Sequence, residues 1–459
     1  MKTIPTHFHP NRPMFRPTHV RRFGSSSKLR SIAVALLLVT AYYVYRPSKP
    51  QIIPTWHELP SSKPIDGCSP NTSLALSRVV ITTKTGATEA SLKLPPQLRN
   101  SLRCAPHLYV FSDMAQKLGD VQVHDALDTI PSSVKDNNPD FDLYRAQLAL
   151  QSTPEKIPET LSGFVHPGNK DDNAAWVLDK YKFNHIVEKT WQMKPDMDWY
   201  FNIDADTYVF LSSLAVWLAL LDPLKEALIG NVALIIGKEF AHGGSGILMS
   251  RAATRSFVVD HNGTAARWDA EMRNNCCGDW VLAQIFNGYG VQLKPASPML
   301  YGEALGSIGF EGGNWCQPVA SLHHVEKGEA DRIGAFEGRR VDRDAAVTYA
   351  EIFDGLILES IPSESRADWD NSSEDETVKD IDSMESCVSA CEKNDKCLQL
   401  RFNGNECMLG TKKVKLGEVD KPKKEDGKDE KKWQSGWNRT RIAEWASGQK
   451  PCTKLVFPI

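Results

Sequence analysis

Hydrophobic and polar positions change pattern several times along the chain. From Ser31 to Tyr45 runs SIAVALLLVTAYYVY, uncharged and bracketed by Arg30 and Arg46. At about 1.5 Å per residue such a helix is shorter than the ~30 Å hydrocarbon core, so it spans only with snorkelling arginines or a thin membrane. Residues 47–75, with prolines from Pro47 to Pro70, read as an extended stem. Beyond it the short β-branched run Arg78–Thr83 predicts a buried strand, and His107–Asp113 a second one a helix-length later. A helical stretch from about Asn173 to Trp191 leads into a strand over Trp199–Ile203. Strands alternating with helices predict an α/β sheet domain over 76–358. Ligands are expected beyond the carboxyl ends of its strands, where Asp113 and Asp204 sit.

Residues 359–380 are acidic and Ser-rich without an apolar period and read as a linker or solvated loop. A small unit over 381–445 follows, carrying Cys387, Cys391, Cys397 and Cys407, with a mixed-charge run Lys412–Lys432 expected as a disordered loop. The sequence contains no internal repeat.

Composition divides the chain again. Its net charge is −3 over 459 residues, yet residues 1–30 hold seven basic side chains and no acidic one, leaving 47 basic against 57 acidic residues in the rest. An acidic body argues against nucleic acid as the main partner. The basic lead is expected to stay cytosolic, making 31–46 a type II signal anchor with a lumenal body in the Golgi or endoplasmic reticulum. A cleaved signal peptide and a mitochondrial presequence are the competing readings. Ten cysteines without a CxxC pair read as disulfides of an exported chain; adjacent Cys276 and Cys277 are expected to bond to separate partners rather than to each other. Sequons at Asn71, Asn262, Asn371 and Asn438 all lie beyond the apolar segment, which agrees with that topology.

The chemistry concentrates at Trp199–Phe210. Strand alternation places Asp204 and Asp206 on one side at a strand end, where Mg²⁺ or Mn²⁺ could bridge two carboxylates and a diphosphate. This element, Ile203-Asp204-Ala205-Asp206-Thr207-Tyr208-Val209, is followed by Gly243-Gly244-Ser245-Gly246-Ile247-Leu248-Met249-Ser250, by Gly278-Asp279-Trp280-Val281-Leu282 and by Ser321-Leu322-His323-His324-Val325. The ordered set resembles glycosyltransferase family 31, nearest its fringe and core 1 β1,3-galactosyltransferase groups, over roughly residues 78–360.

The resemblance implies a GT-A-type α/β fold with a mixed central sheet, a UDP-sugar donor, Mn²⁺ or Mg²⁺, a glycan or glycoprotein acceptor and inversion at the anomeric carbon. It makes Asp204, Asp206 and His323 metal ligands and Asp279 the catalytic base. The family's acidic residue before the base is here Gly278. It also places Thr83, Lys84, Asp113, Lys180, Gly243 and Gly244 at the donor. Trp280 and Trp315 are candidates for stacking on a sugar, with core packing the alternative.

The order of the four late cysteines, the first pair on a helix-like stretch, resembles a PAN/apple domain. That likeness implies a small disulfide-rich α+β unit with Cys387–Cys407 and Cys391–Cys397 pairs, binding a glycan or a protein. Two other classes compete. Asp204-Ala205-Asp206-Thr207 after an apolar strand also fits a haloacid-dehalogenase-like phosphatase, although Ala283 stands where that motif needs a later Asp. An inactive membrane-tethered glycan-binding protein is the other.

Overall fold

Strand alternation distributes the core over two faces of one sheet. In a computed structural model, which describes residues 67–167, 173–420 and 432–458, β1 (Val79–Lys84), β2 (Leu108–Ser112), β3 (Gln116–Leu118), β4 (Val121–Asp125) and β5 (Trp199–Asp204) lie in its first half. The chain continues through β6 (Tyr208–Val209), β7 (Leu228–Gly230), β8 (Val232–Ile235), β9 (Lys238–Ala241), β10 (Ile247–Ser250), β11 (Leu293–Pro295), β12 (Leu300–Tyr301) and β13 (Ser321–Leu322). Eight strands form the central sheet in the order β11-β7-β10-β5-β1-β2-β4-β3, with β5, β1, β2 and β4 mutually parallel and β10 antiparallel between β5 and β7. The fold is mixed α/β, as expected, and its central sheet is mostly parallel.

Both faces are covered. Val80, Tyr200 and Met249 point into one apolar cluster with Ile186, Phe257 and Phe286, while Val79, Ile81, Trp199, Phe201 and Leu248 point into another with Leu214 and Trp217. Burial on two sides explains why β1 and β5 read as near-continuous apolar runs rather than alternating ones. The predicted helix over Asn173–Trp191 forms as two, Ala174–Asp179 and Lys182–Met193.

The expected stem ends earlier than 75. Pro70–Ala75 is a helix packed against the helix Leu211–Leu218, and Cys68 is bonded to Cys104. The anchor segment 31–46, its lead and residues 47–66 lie outside the described residues, and no described helix is long and apolar enough to cross a membrane.

The late unit has a five-stranded sheet, Arg366–Ala367, Gln434–Trp437, Gln399–Phe402, Cys407–Gly410 and Glu376–Val378, beside the helix Met384–Lys393. Cys387–Cys407 and Cys391–Cys397 are the disulfides. Residues 359–380 are therefore no linker: three short strands of this unit come from them. Their acidity misleads because the carboxylates have internal partners. Asp370 takes two bonds from Arg401 at 2.8 Å, and Asp375 accepts the Thr411 and Lys412 backbone N–H groups. Asn371 is fully buried, donating to the Leu400 and Gly436 carbonyls, so its sequon is closed to a glycan in the folded chain. Asn262 and Asn71 are exposed, and Asn438 caps the helix Arg439–Ser447. Of the expected loop Lys412–Lys432, residues 421–431 are not described, while Glu418–Val419 pairs with Trp369–Asp370.

The late unit shares a core with the sheet domain. Trp437 and Ile442 join a cluster with Phe310, Tyr349 and Phe353, Phe310 and Val414 exchange backbone bonds of 2.9 Å, and Cys316 is bonded to Cys452. Tyr208 belongs to the same cluster, and its hydroxyl donates to Glu337 at 2.5 Å.

Burial pushes the Glu337 carboxyl up to about 7 from an ordinary 4.5, against the opposing pull of Tyr208 and Arg340. The folded chain thus holds this proton more tightly than the unfolded one. The associated stability is complete below pH 4.5 and is lost as pH rises toward 7. Glu337→Gln keeps an acceptor for Tyr208 without titrating. Melting temperatures followed by circular dichroism are expected to fall less for the variant than for the wild type between about pH 5 and about pH 8, leaving it the more stable of the two at the upper end.

Candidate active site

A cavity of about 470 Å³ opens at the carboxyl ends of β1 and β5. Register aligns Lys84 with Asp204, and the Lys84 Nζ lies 2.7 Å from Asp204 and 2.8 Å from Asp179. Burial pushes Lys84 down, but Asp179 and Asp204 outweigh it and hold the ammonium above its ordinary range. Behind it the buried Lys182 pairs with Asp179 at 3.1 Å and Asp113 at 3.4 Å and donates to the Thr85 carbonyl at 2.8 Å.

The turn after β5 is fixed by Thr207. Its hydroxyl accepts the Asp204 N–H and donates to the Gly244 carbonyl at 2.7 Å, while Ser321 donates to the Ser245 carbonyl at 2.6 Å. The first and last of the spaced motifs are thereby pinned to the glycine turn between them. Asp206 then faces His323, with Oδ1 3.3 Å from Nε2, and Lys93, 3.1 Å from Oδ2. Burial pushes the Asp206 carboxyl up, but His323 and Lys93 outweigh it and hold it well below the usual carboxylate range.

The His323 Nδ1–H donates to the Gly302 carbonyl at 3.1 Å, and Nε2 faces Asp206 as an N–H donor whose proton a bound cation would replace; burial pushes the imidazole down, but the Asp206 carboxylate outweighs it and holds the ring above its ordinary value. Metal-binding histidines use this same arrangement to fix ring and tautomer. Ligand atoms of Asp206, His323 and His324 lie within 4.8 Å of one another, and a carboxylate with two imidazoles is a donor set that can hold a divalent transition-metal ion without selecting one by itself. Of the expected ligands the structure thus brings Asp206 and His323 together, adds His324, and gives Asp204 to Lys84.

Gly244 makes this possible. A Cβ there would stand 2.1–2.5 Å from three atoms of the His323 ring. Its neighbour Gly243 donates its N–H to Asp279 Oδ2 at 3.0 Å, while Asp279 Oδ1 accepts the Trp280 N–H at 2.8 Å. Burial raises the Asp279 carboxyl above its ordinary value against the pull of these two bonds. Asp279 stands in the first turn of the helix Gly278–Gly288, and a Cβ at 278 would meet Phe183 at 2.3 Å and the Lys180 carbonyl at 2.4 Å. Packing therefore explains glycine where the family resemblance expects an acid.

Lys84, Lys180, Gly243 and Gly244 line the cavity, although Lys180 is paired with Asp140 at 3.0 Å. Thr83 and Asp113 are fully buried and do not line it. Neither do Trp280, beneath Lys238, nor Trp315, which is in the cluster shared with the late unit. The aromatic residues that do line it are Trp176, Phe183, Phe240 and histidines, and Trp176 sits in a helix whose pattern gives no sign of a site.

Cys276 and Cys277, on the cavity wall, are bonded to each other, which corrects the expectation of separate partners. All other cysteines are consumed in four pairs elsewhere in the fold. No protein-family model matches the chain, and no curated protein matches it.

Gly244→Ala forces the His323 ring away from Asp206. Mn²⁺ affinity by titration calorimetry is expected to fall about 10- to 100-fold, the range seen when support of a metal ligand is lost. Unchanged affinity would remove His323 from the ligand set.

Proposed function

We propose that the chain is a metal-dependent inverting glycosyltransferase with a GT-A-type fold, moving a hexose or N-acetylhexosamine from a UDP-sugar to a glycan or glycoprotein hydroxyl, with the β1,3 linkage that its family resemblance implies. The observation that carries this reading is the meeting of Asp206, His323 and Asp279 around two adjacent glycines in one cavity at the carboxyl ends of parallel strands. Charge supports it too. The cavity is lined by Glu89, Asp179, Asp204, Asp206 and Asp279 against Lys84, Lys93, Lys180 and Lys182. A lining without surplus cations suits a diphosphate only together with a divalent ion.

Asp206 and His323, with His324 beside them, would hold Mn²⁺, which when bound offsets the charge that grows on the departing diphosphate. Asp279 takes the proton from the acceptor hydroxyl. That oxygen forms a bond to the anomeric carbon as the bond to the diphosphate oxygen breaks, the electron pair leaving with UDP. A raised carboxyl is the better base for this step, and the Gly243 and Trp280 N–H groups hold it in place. The family's usual topology, a type II Golgi or endoplasmic reticulum membrane protein with a lumenal body, is part of the reading. The basic lead, the apolar segment and five disulfides agree with it. The late unit is a PAN/apple-like binding module for glycan or protein in this reading, supported by its two nested disulfides.

The test is UDP release from a panel of UDP-sugars with Mn²⁺. One donor is expected to be turned over, with release abolished in Asp206→Asn and lowered about 100- to 10,000-fold in Asp279→Asn. Because burial raises Asp279, the acidic limb of the pH–rate profile should lie above the ordinary carboxylate range and vanish in that variant. Phosphate release from phosphomonoesters would instead indicate a phosphatase, and no turnover a binding protein.

A further inference from the structure

A second cavity, of about 420 Å³, shares no lining residue with the proposed active site. Its walls come from β6, the turn Ser101–Cys104, the first turn of the helix Leu211–Leu218 and the helix Lys327–Arg339. Unlike the first cavity it has a surplus of cations, Arg99, Arg103, Arg340 and Arg343 against Asp331 and Glu337. Asp331 is taken by Arg99 through bonds of 2.6 and 2.9 Å, and burial raises the Glu337 carboxyl to about 7, so near neutrality part of it is uncharged. Arg340 pairs with Glu351 at 3.0 Å, and Arg343 donates to the Gly338 carbonyl. Arg103 makes no hydrogen bond or ion pair with the described residues. Burial raises the Tyr208 hydroxyl and Arg103 acts against it, so the charge of Arg103 reaches the partner of Glu337.

Two features of the wall point to an anion. Ser212 lines the cavity and is 4% exposed, yet its Oγ has no hydrogen-bond partner among the described residues. Other hydroxyls on the lining are committed, Ser69 and Thr72 to Asp344 and Tyr208 to Glu337. A buried hydroxyl without a partner is costly, and a ligand that accepts from it removes that cost. Ser212 also stands in the first turn of a helix whose cap, Phe210, supplies no side-chain acceptor, so the positive end of that helix meets the same wall. We propose that this cavity is an oxyanion site, taking the phosphate or sulfate group of a small molecule between Arg103 and the Ser212 end of the helix. A guanidinium suits such a group because its planar fork donates twice to one oxyanion. At about 420 Å³ the cavity is within the range of small-molecule sites, so an ester of the anion fits as well as the free ion. The site is independent of the transferase reading.

The experiment titrates the full chain, in non-ionic detergent without divalent cations, with sodium sulfate, inorganic phosphate and glycerol 3-phosphate at constant ionic strength, read by calorimetry. At least one of these anions is expected to bind. Arg103→Ala should weaken that binding about tenfold or more and Ser212→Ala about threefold to tenfold, the losses expected for a charged and a neutral donor. Arg103 is exposed, so thermal melting of its variant should match that of the wild type. Tighter binding of glycerol 3-phosphate than of inorganic phosphate assigns the site to a phosphate ester, and equal or weaker binding assigns it to the free ion. Binding left unchanged by both variants, or removed by Lys93→Ala in the first cavity, would put the anion elsewhere and overturn the site. Failure of all three anions to bind would overturn it as well.

Discussion

The structure depends on a chain of buried ion pairs running from Asp204 through Lys84, Asp179 and Lys182 to Asp113. It ties the carboxyl end of β5 to that of β1, to the residue after β2 and to the helices that cover them. Lys182 and Asp113 are almost wholly removed from water. Buried charges are retained at a cost, and removing one partner from such a set typically destabilises by about 3–5 kcal/mol. Rigidity at the strand ends is what the cavity gains. The same pairing commits Asp204 to Lys84 and leaves Asp206, one residue past Ala205 in the turn, to face the histidines.

A second constraint joins the two halves of the chemistry. Gly243 touches the proposed base and Gly244 the proposed metal ligand, so the backbone between adjacent residues sets their separation. Thr207 and Ser321 hold that turn from either side. The proposed metal site and the proposed base are consequently one mechanical unit, in which a shift of the glycine turn moves both.

The sheet was readable in the sequence because β1, β2 and β5 are apolar on both faces, a signal that survives without any relatives. Asp206, His323 and Asp279 were readable from motif order. What composition hid were partnerships made across long separations: Asp204 with Lys84, Asp370 with Arg401, and the burial of Asn371. An acidic stretch looks solvated until the Arg and backbone N–H groups that meet it are known. Gly278 departs from the motif and is a packing requirement.

In the proposed site Asp206 and His323 hold the cation while Asp204 stays with Lys84. Anomalous scattering at the manganese edge from crystals of the protein grown with Mn²⁺ and UDP measures this directly. The predicted result is one ion bound by Asp206 and His323, with the Lys84–Asp204 pair intact. An ion bound by Asp204 with Lys84 displaced, or no ion in this cavity, would contradict it.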